Sequence, residues 1–121
     1  MNIEATLKEA MTIDGALGVS LVDYESGMTL GVLGGGPNLD LEVAGAGNTE
    51  VVRAKQRTLK SINLDDEIED ILITLGRQYH LIRPLTQTSG SLFLYLALDR
   101  GRSNLALARH HLKRLETGLE I

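Results

Sequence analysis

The feature that most constrains the fold is an uninterrupted apolar run from Leu92 to Leu98, with the sequence LFLYLAL. The run is far shorter than the ~20 residues that a membrane-spanning helix needs, and its length is typical of a strand. Successive side chains of a strand point to opposite faces, so a strand that is apolar throughout must be covered on both. We therefore predict a central strand in a sheet with a layer of helices on each side.

The rest of the chain carries helical or strand periodicity that can supply those layers. Ile3, Leu7 and Met11 recur every four residues, as on one face of a helix. The predicted elements, in chain order, are a helix over 3–11, strands over 17–22 and 28–34, a helix over 40–60, strands over 68–75, 79–85 and 92–98, and a last helix capped by Ser103. This α-β-β-α-β-β-β-α order predicts an α+β fold, a three-layer α/β/α sandwich around a five-stranded antiparallel sheet. We expect one domain over residues 1–121.

The predicted second helix contains two glycines, Gly45 and Gly47. Each glycine costs about 1 kcal/mol relative to alanine in a helix interior. We expect the close approach of another backbone to compensate for this cost.

Charge and composition favour a protein partner over a nucleic acid. The net charge is −4, whereas phosphate binding needs clustered cations. Residues 1–50 hold eight acids and one lysine, a sum of −7, and residues 51–121 sum to +3. Such an asymmetry can steer a charged protein partner. The N-terminus has no basic and then apolar stretch, so we expect a cytoplasmic protein that does not insert into a membrane.

The sequence contains fragments of enzyme sites, but no complete motif. Gly34-Gly35-Gly36 precedes a helix without the lysine of a phosphate-binding loop, and Gly45-Ala46-Gly47 lacks the last glycine of a dinucleotide fingerprint. Ser20, His80 and Asp99 could form a hydrolase triad, although the G-x-S-x-G elbow is absent. We therefore expect turn and packing glycines, a structural His80 and no catalytic residue.

No metal or cofactor site is predicted either. The adjacent His110 and His111 would point about 100° apart on a helix, so they cannot share one metal. The acidic run over residues 65–70 lacks the spacing of a calcium loop, and the chain has no cysteine. We interpret the histidines as a solvated face and the acids as a charged entrance to the next strand.

The predicted third strand, Ile68 to Leu75, follows a long helix and a loop, which suggests the edge of the sheet. Its C-terminal half is aliphatic, and it contains no Pro, Lys or Arg. An unprotected edge of this kind aggregates unless it is paired. Antiparallel pairing with a second copy would remove the edge and close a two-fold dimer, although a loop or another protein could cover it instead.

Two regions resemble the roadblock (dynein light chain) family. Gly15 to Asp23 (GALGVSLVD) with Gly27 to Leu30 (GMTL) resembles its opening hairpin, and Leu92 to Asp99 followed by Ser103 to Arg109 (SNLALAR) resembles its last strand and "N-L-A-x-A-R" helix. The resemblance implies a long second helix on one face of the sheet and the other two helices opposite. It also implies dimerisation through the second helix and third strand, and a non-catalytic role in regulating Ras-like small GTPases. The glycines of the second helix depart from the family, where alanine is commoner.

From these arguments we predict which residues form each expected surface. We expect a homodimer interface at Val51, Val52, Ile71, Ile73 and Leu75. We expect a small GTPase to bind the outer side of the second helix, at Glu50, Arg53 and Arg57. The alternative is a small-molecule sensor, which would require a pocket between helix and sheet.

Overall fold

The computed structural model describes residues 1–88 and 90–120 and has the element order predicted from the sequence. The elements are α1 (Ile3–Ala10), β1 (Ala16–Asp23), β2 (Thr29–Gly34), α2 (Leu41–Ser61), β3 (Ile71–Thr74), β4 (Gln78–Pro84), β5 (Leu92–Asp99) and α3 (Leu105–Gly118). Among the described residues, no helix is both long and apolar enough to cross a membrane.

The five strands form one antiparallel sheet in the order β2-β1-β5-β4-β3. The apolar run is the middle strand, β5, and every residue from Leu92 to Leu98 is buried. The predicted central strand is therefore confirmed, and so is the predicted edge position of the third strand.

Helices cover both faces of the sheet, and each face has its own core. Helices α1 and α3 pack on one face with Leu92, Leu94, Leu96 and Leu98 of β5. Helix α2 packs on the other face, where Phe93, Tyr95 and Ala97 point. The alternation along β5 thus divides the interior into two layers, as a strand buried on both faces requires. We call these the two-helix face and the α2 face.

Strand β3 (Ile71–Thr74) is half as long as predicted, and Pro84 accounts for its late start. Leu75 N–H donates to Gln78 O at 2.9 Å, so the even-numbered residues of β4 point their main-chain groups toward β3. The register places Pro84 opposite Glu69, and proline has no N–H to donate there. Arg83 Nη1 donates to Glu69 O instead, at 3.5 Å. The segment before Ile71 therefore continues the line of β3 without the strand ladder.

Two local predictions need correction. The N-cap of α3 is Asn104 and not Ser103, because Asn104 is extended and its Oδ1 accepts from Leu107 N–H at 3.1 Å. Within this one chain, the glycines of α2 do not meet another backbone. A Cβ at Gly45 would lie 3.1 Å from the side chains of Thr29 and Val22, and a Cβ at Gly47 would meet nothing within 4 Å. Only Gly45 therefore permits a close approach, and the approaching groups are side chains.

Candidate protein-protein interface

Strand β3 presents a free main-chain edge. It pairs with β4 on one side and has no neighbour on its outer side in the described part of the chain. Since Leu75 N–H points toward β4, the alternation of a strand directs the N–H groups of Leu72 and Thr74 outward. Ile71 and Ile73 face the same side as α2, and their side chains are half-buried against its core. The edge thus combines unpaired main-chain groups with aliphatic side chains, the combination that favours pairing with another strand.

The α2 face is only partly covered next to this edge. Helix α2 packs mainly against β1 and β2, and Gly45 lets it sit directly on Val22 and Thr29. Ile71 and Ile73, on the same face but at the β3 edge, remain half-buried, and Val51 of α2 is 36% exposed. One helix is therefore too narrow to close this face, and the uncovered part adjoins the free edge.

A groove of about 490 Å³ runs between α2 and the segment that leads into β3. Its apolar wall is formed by Val51, Leu59, Leu64, Ile68 and Ile71. The groove lies beside α2 and not beneath it, because Val52, Phe93 and Tyr95 fill the space between helix and sheet. The sensor hypothesis required a pocket in that filled space, so this groove supports a surface contact more directly than a ligand cavity.

The structure separates the five residues predicted for the dimer interface. Val51 and Leu75 are exposed, at 36% and 41%, while Ile71 and Ile73 are half-buried beside the edge. Val52 is fully buried in the core under α2. Its side chain is therefore not available to a second chain, because adjacent helical residues point about 100° apart and only Val51 faces outward.

The three residues predicted to bind a partner lie together on the solvent side of α2. Glu50, Arg53 and Arg57 are all exposed. Arg53 Nη1 lies 3.8 Å from Glu50 Oε1, with side-chain exposures of 47% and 70%. An exposed pair of this kind contributes at most about 1 kcal/mol, so these groups can exchange partners easily. Lys55 and Lys60 extend the basic character of this half of α2.

His80 lies in a polar cluster on the α2 face. Its Nδ1 lies 3.2 Å from Tyr95 Oη, and its Nε2 lies 2.7 Å from Gln78 Oε1. Burial lowers the pKa of His80 and raises the pKa of Tyr95. Both ring nitrogens therefore have partners other than Ser20 and Asp99. Ser20 is fully buried in β1, and Asp99 accepts from Gly101 N–H and Arg102.

Ion pairs from α3 hold the segment that precedes β3, which the sequence analysis did not foresee. Arg109 Nε and Nη2 donate to the two carboxylate oxygens of Asp70 at 2.7 and 3.2 Å, and this pairing raises the pKa of Arg109. Lys113 Nζ lies 3.8 Å from Glu69. The sequence does contain a signal for these contacts. Arg109 and Lys113 are four residues apart on one face of α3, and their partners are the adjacent acids Asp70 and Glu69.

A buried ion pair fixes the end of β4 to α3. Arg83 Nε donates to Glu116 Oε1 at 2.8 Å, with side-chain exposures of 9% and 1%. The other carboxylate oxygen accepts from the N–H groups of Thr86 and Gln87, at 2.7 and 3.2 Å. Both oxygens are thus satisfied, as a buried carboxylate requires. The pair steadies the sheet next to the β3 edge.

Comparison with solved structures identifies proteins of similar fold. No protein-family model and no curated protein matches the chain. MglB of Myxococcus xanthus superimposes with a TM-score of 0.80 at 18% identity, over 93% of this chain and 87% of that one. A structure described as "MglB with tetrameric arrangement" gives 0.79 at 17% identity, over 95% and 82%. The roadblock/LC7 domain from Streptomyces avermitilis gives 0.72 at 12% identity, over 98% and 94%. The chain therefore has the roadblock fold that its sequence predicted.

Proposed function

We propose that this chain is a cytoplasmic, non-catalytic homodimeric scaffold that binds a small Ras-like GTPase and modulates its nucleotide cycle. The observation that carries the proposal is the free edge of β3 beside the incompletely covered α2 face. The shared fold with MglB and with a roadblock/LC7 domain supports a regulatory role. One related structure is described as a tetrameric arrangement, so assembly through copies of the fold has a precedent.

The dimer forms by antiparallel pairing of β3 with its copy. A two-fold axis perpendicular to the sheet joins the two edges into one ten-stranded sheet and keeps both α2 helices on the same face. Val51, Ile71, Ile73 and Leu75 then become buried between the copies. Val52 supports the contact from beneath, within its own core.

The partner binds the outer side of α2 at Glu50, Arg53 and Arg57. The two-fold axis repeats this charged surface, so one GTPase can contact both helices. The cations around it suit an acidic partner surface, and charge complementarity raises association rates. A scaffold of this kind acts by holding the partner's own switch segments, without supplying a catalytic group.

The first experiment removes one outward N–H from the β3 edge. Thr74→Pro deletes a donor that points away from β4, so the monomer keeps its internal ladder while self-pairing is blocked. We expect light scattering to give twice the chain mass of 13.1 kDa for the wild type and a single chain mass for this variant. Thr74→Val keeps the N–H and serves as the matched control, which should remain dimeric. A monomeric wild type would refute the dimer.

The second experiment tests the partner. GTPases encoded near this chain are purified and titrated against the wild type and against the triple variant Glu50→Arg, Arg53→Glu, Arg57→Glu. We expect binding to the wild type and a loss of at least ten-fold in affinity for the variant, with its dimer intact. A set of neighbouring GTPases that all fail to bind the wild-type dimer would contradict the partner assignment and leave the dimer standing.

A further inference from the structure

The proposed dimer does not by itself define the register in which the two β3 strands pair. The sequence along the β3 edge specifies that register. We infer that the two-fold axis passes through Ile73, so that the edge pairs Ile71 with Leu75 of the second copy and Glu69 with the turn that carries Arg77. This inference rests on the proposed homodimer and adds its register and its charge pairing.

Hydrogen-bond geometry leaves few registers. The outward main-chain groups belong to Leu72 and Thr74, and in an antiparallel pair each outward residue must face another outward residue. The two-fold axis therefore passes through a residue of β3 and not between two residues. For a strand that spans Ile71–Thr74, the two central choices are Leu72 and Ile73.

Side-chain matching separates these two choices. With the axis at Ile73, Ile73 faces its own copy and Ile71 faces Leu75, so apolar groups meet on the α2 face. With the axis at Leu72, Ile71 would face Ile73, but Leu75 would face Glu69. A leucine is a poor neighbour for a carboxylate, whereas aliphatic pairs directly across two strands stabilise a sheet. The first register therefore agrees with the pattern of the whole edge.

Charge at the two ends of the edge fits the same register, although an axis at Leu72 would also bring Arg77 level with an acid, Glu67. Acidic residues precede β3, and Glu69 lies in the continuation of the strand, where Arg83 binds its carbonyl oxygen. The opposite end is the Gly76-Arg77 turn, and Arg77 is exposed with no ion pair in the described residues. An axis at Ile73 brings that turn to the level of Glu69 on the second copy. Glu69 is 63% exposed, and its ion pair with Lys113, at 3.8 Å, lies at the surface and is weak, so Glu69 can exchange Lys113 for Arg77.

The absence of cysteine makes the register directly measurable. Single variants Leu72→Cys, Ile73→Cys and Thr74→Cys are oxidised with glutathione disulfide and separated on non-reducing gels. A residue on the two-fold axis faces its own copy with Cβ atoms about 5 Å apart, close to disulfide geometry. We expect Ile73→Cys to form a covalent dimer at least ten-fold faster than the other two.

The charge pair is tested by reversal. Arg77→Glu places two glutamates against each other twice per dimer, and Glu69→Arg does the same with two arginines. We expect each variant to weaken the homodimer roughly ten-fold, from exposed ion pairs of modest individual strength. Mixing the two variants creates a heterodimer in which both contacts are attractive, so mixed dimers should predominate. Arg114→Glu, the same change on α3, should leave the dimer unchanged.

The possible outcomes separate this inference from the proposed dimer. Fastest cross-linking of Leu72→Cys or Thr74→Cys, with Thr74→Pro still monomeric, would overturn the register and keep the interface. No preference for mixed dimers would overturn the charge pair. A dimer that survives Thr74→Pro and cross-links at none of the three positions would overturn the β3 interface itself.

Discussion

The two faces of the sheet are built differently, although β5 supplies alternate residues of one apolar run to both. On the two-helix face, α1 and α3 enclose a continuous core, and Arg83 and Glu116 are buried as a satisfied pair. On the α2 face, a single helix covers mainly β1 and β2, and Ile71 and Ile73 remain half-buried. A closed face contributes chiefly to the stability of the monomer, whereas a partly open face can contribute to association. Substitutions on the two-helix face should therefore lower the stability of the monomer, whereas substitutions on the open part of the α2 face should mainly weaken association.

The largest expected effect is the loss of the buried carboxylate on the two-helix face. Glu116→Ala leaves Arg83 without its partner and removes the acceptor for Thr86 and Gln87 N–H. We expect the free energy of unfolding to fall by about 3–5 kcal/mol, as measured by urea denaturation. Glu50→Ala, which removes an exposed ion pair on α2, should change it by less than about 1 kcal/mol. Equal effects of the two variants would contradict the distinction between the faces.

The next effect compares two leucines. Leu96 is fully buried on the two-helix face, and Leu75 is 41% exposed at the β3 edge. Leu96→Ala should lower the free energy of unfolding by about 2–5 kcal/mol, because it leaves a cavity in a closed core. Leu75→Ala should cost only about 0.5 kcal/mol in the monomer and should mainly weaken the proposed dimer. Denaturation at low chain concentration, with light scattering at high concentration, distinguishes the two losses.

A smaller effect concerns the two glycines of α2. Gly47→Ala meets nothing within 4 Å and should stabilise the monomer by about 0.5–1 kcal/mol through helix propensity. Gly45→Ala forces Thr29 and Val22 to move, so it should be the less stable of the two variants. Thermal unfolding of both proteins provides the measurement. The reverse order would show that α2 does not rest on the hairpin as closely as the structure indicates.

The smallest effect is a pH dependence from His80 on the α2 face. Burial lowers its pKa in the folded state below the ordinary 6.5, so the unfolded chain binds protons more readily. Stability should therefore decrease as the pH falls through about 6.5 and level off below the folded-state pKa. His80→Gln should reduce this slope, and His110→Gln, an exposed histidine on α3, should leave it in place. A slope that persists unchanged in His80→Gln would rule out His80 as its source.

The sequence alone determined the parts of this fold that depend on local patterns. The all-apolar run had to become a central strand, because no other position buries both of its faces. Periodicity and tight turns fixed the number and order of the elements, and the long helix and loop before the third strand indicated its edge position. Residues within one element share a regular geometry, so their spacing reveals which side chains lie together.

Only the tertiary structure decided where distant segments meet. Pro84 shortens the start of β3 because it lies opposite Glu69 across the sheet. Asp70 pairs with Arg109 and Glu116 pairs with Arg83, although each pair is separated by more than 30 residues of sequence. Val52 was predicted, together with Val51, to lie in the dimer interface, but the rotation of α2 on the sheet places its side chain in the core. Such contacts depend on how rigid elements dock, and spacing within any single segment does not encode that orientation.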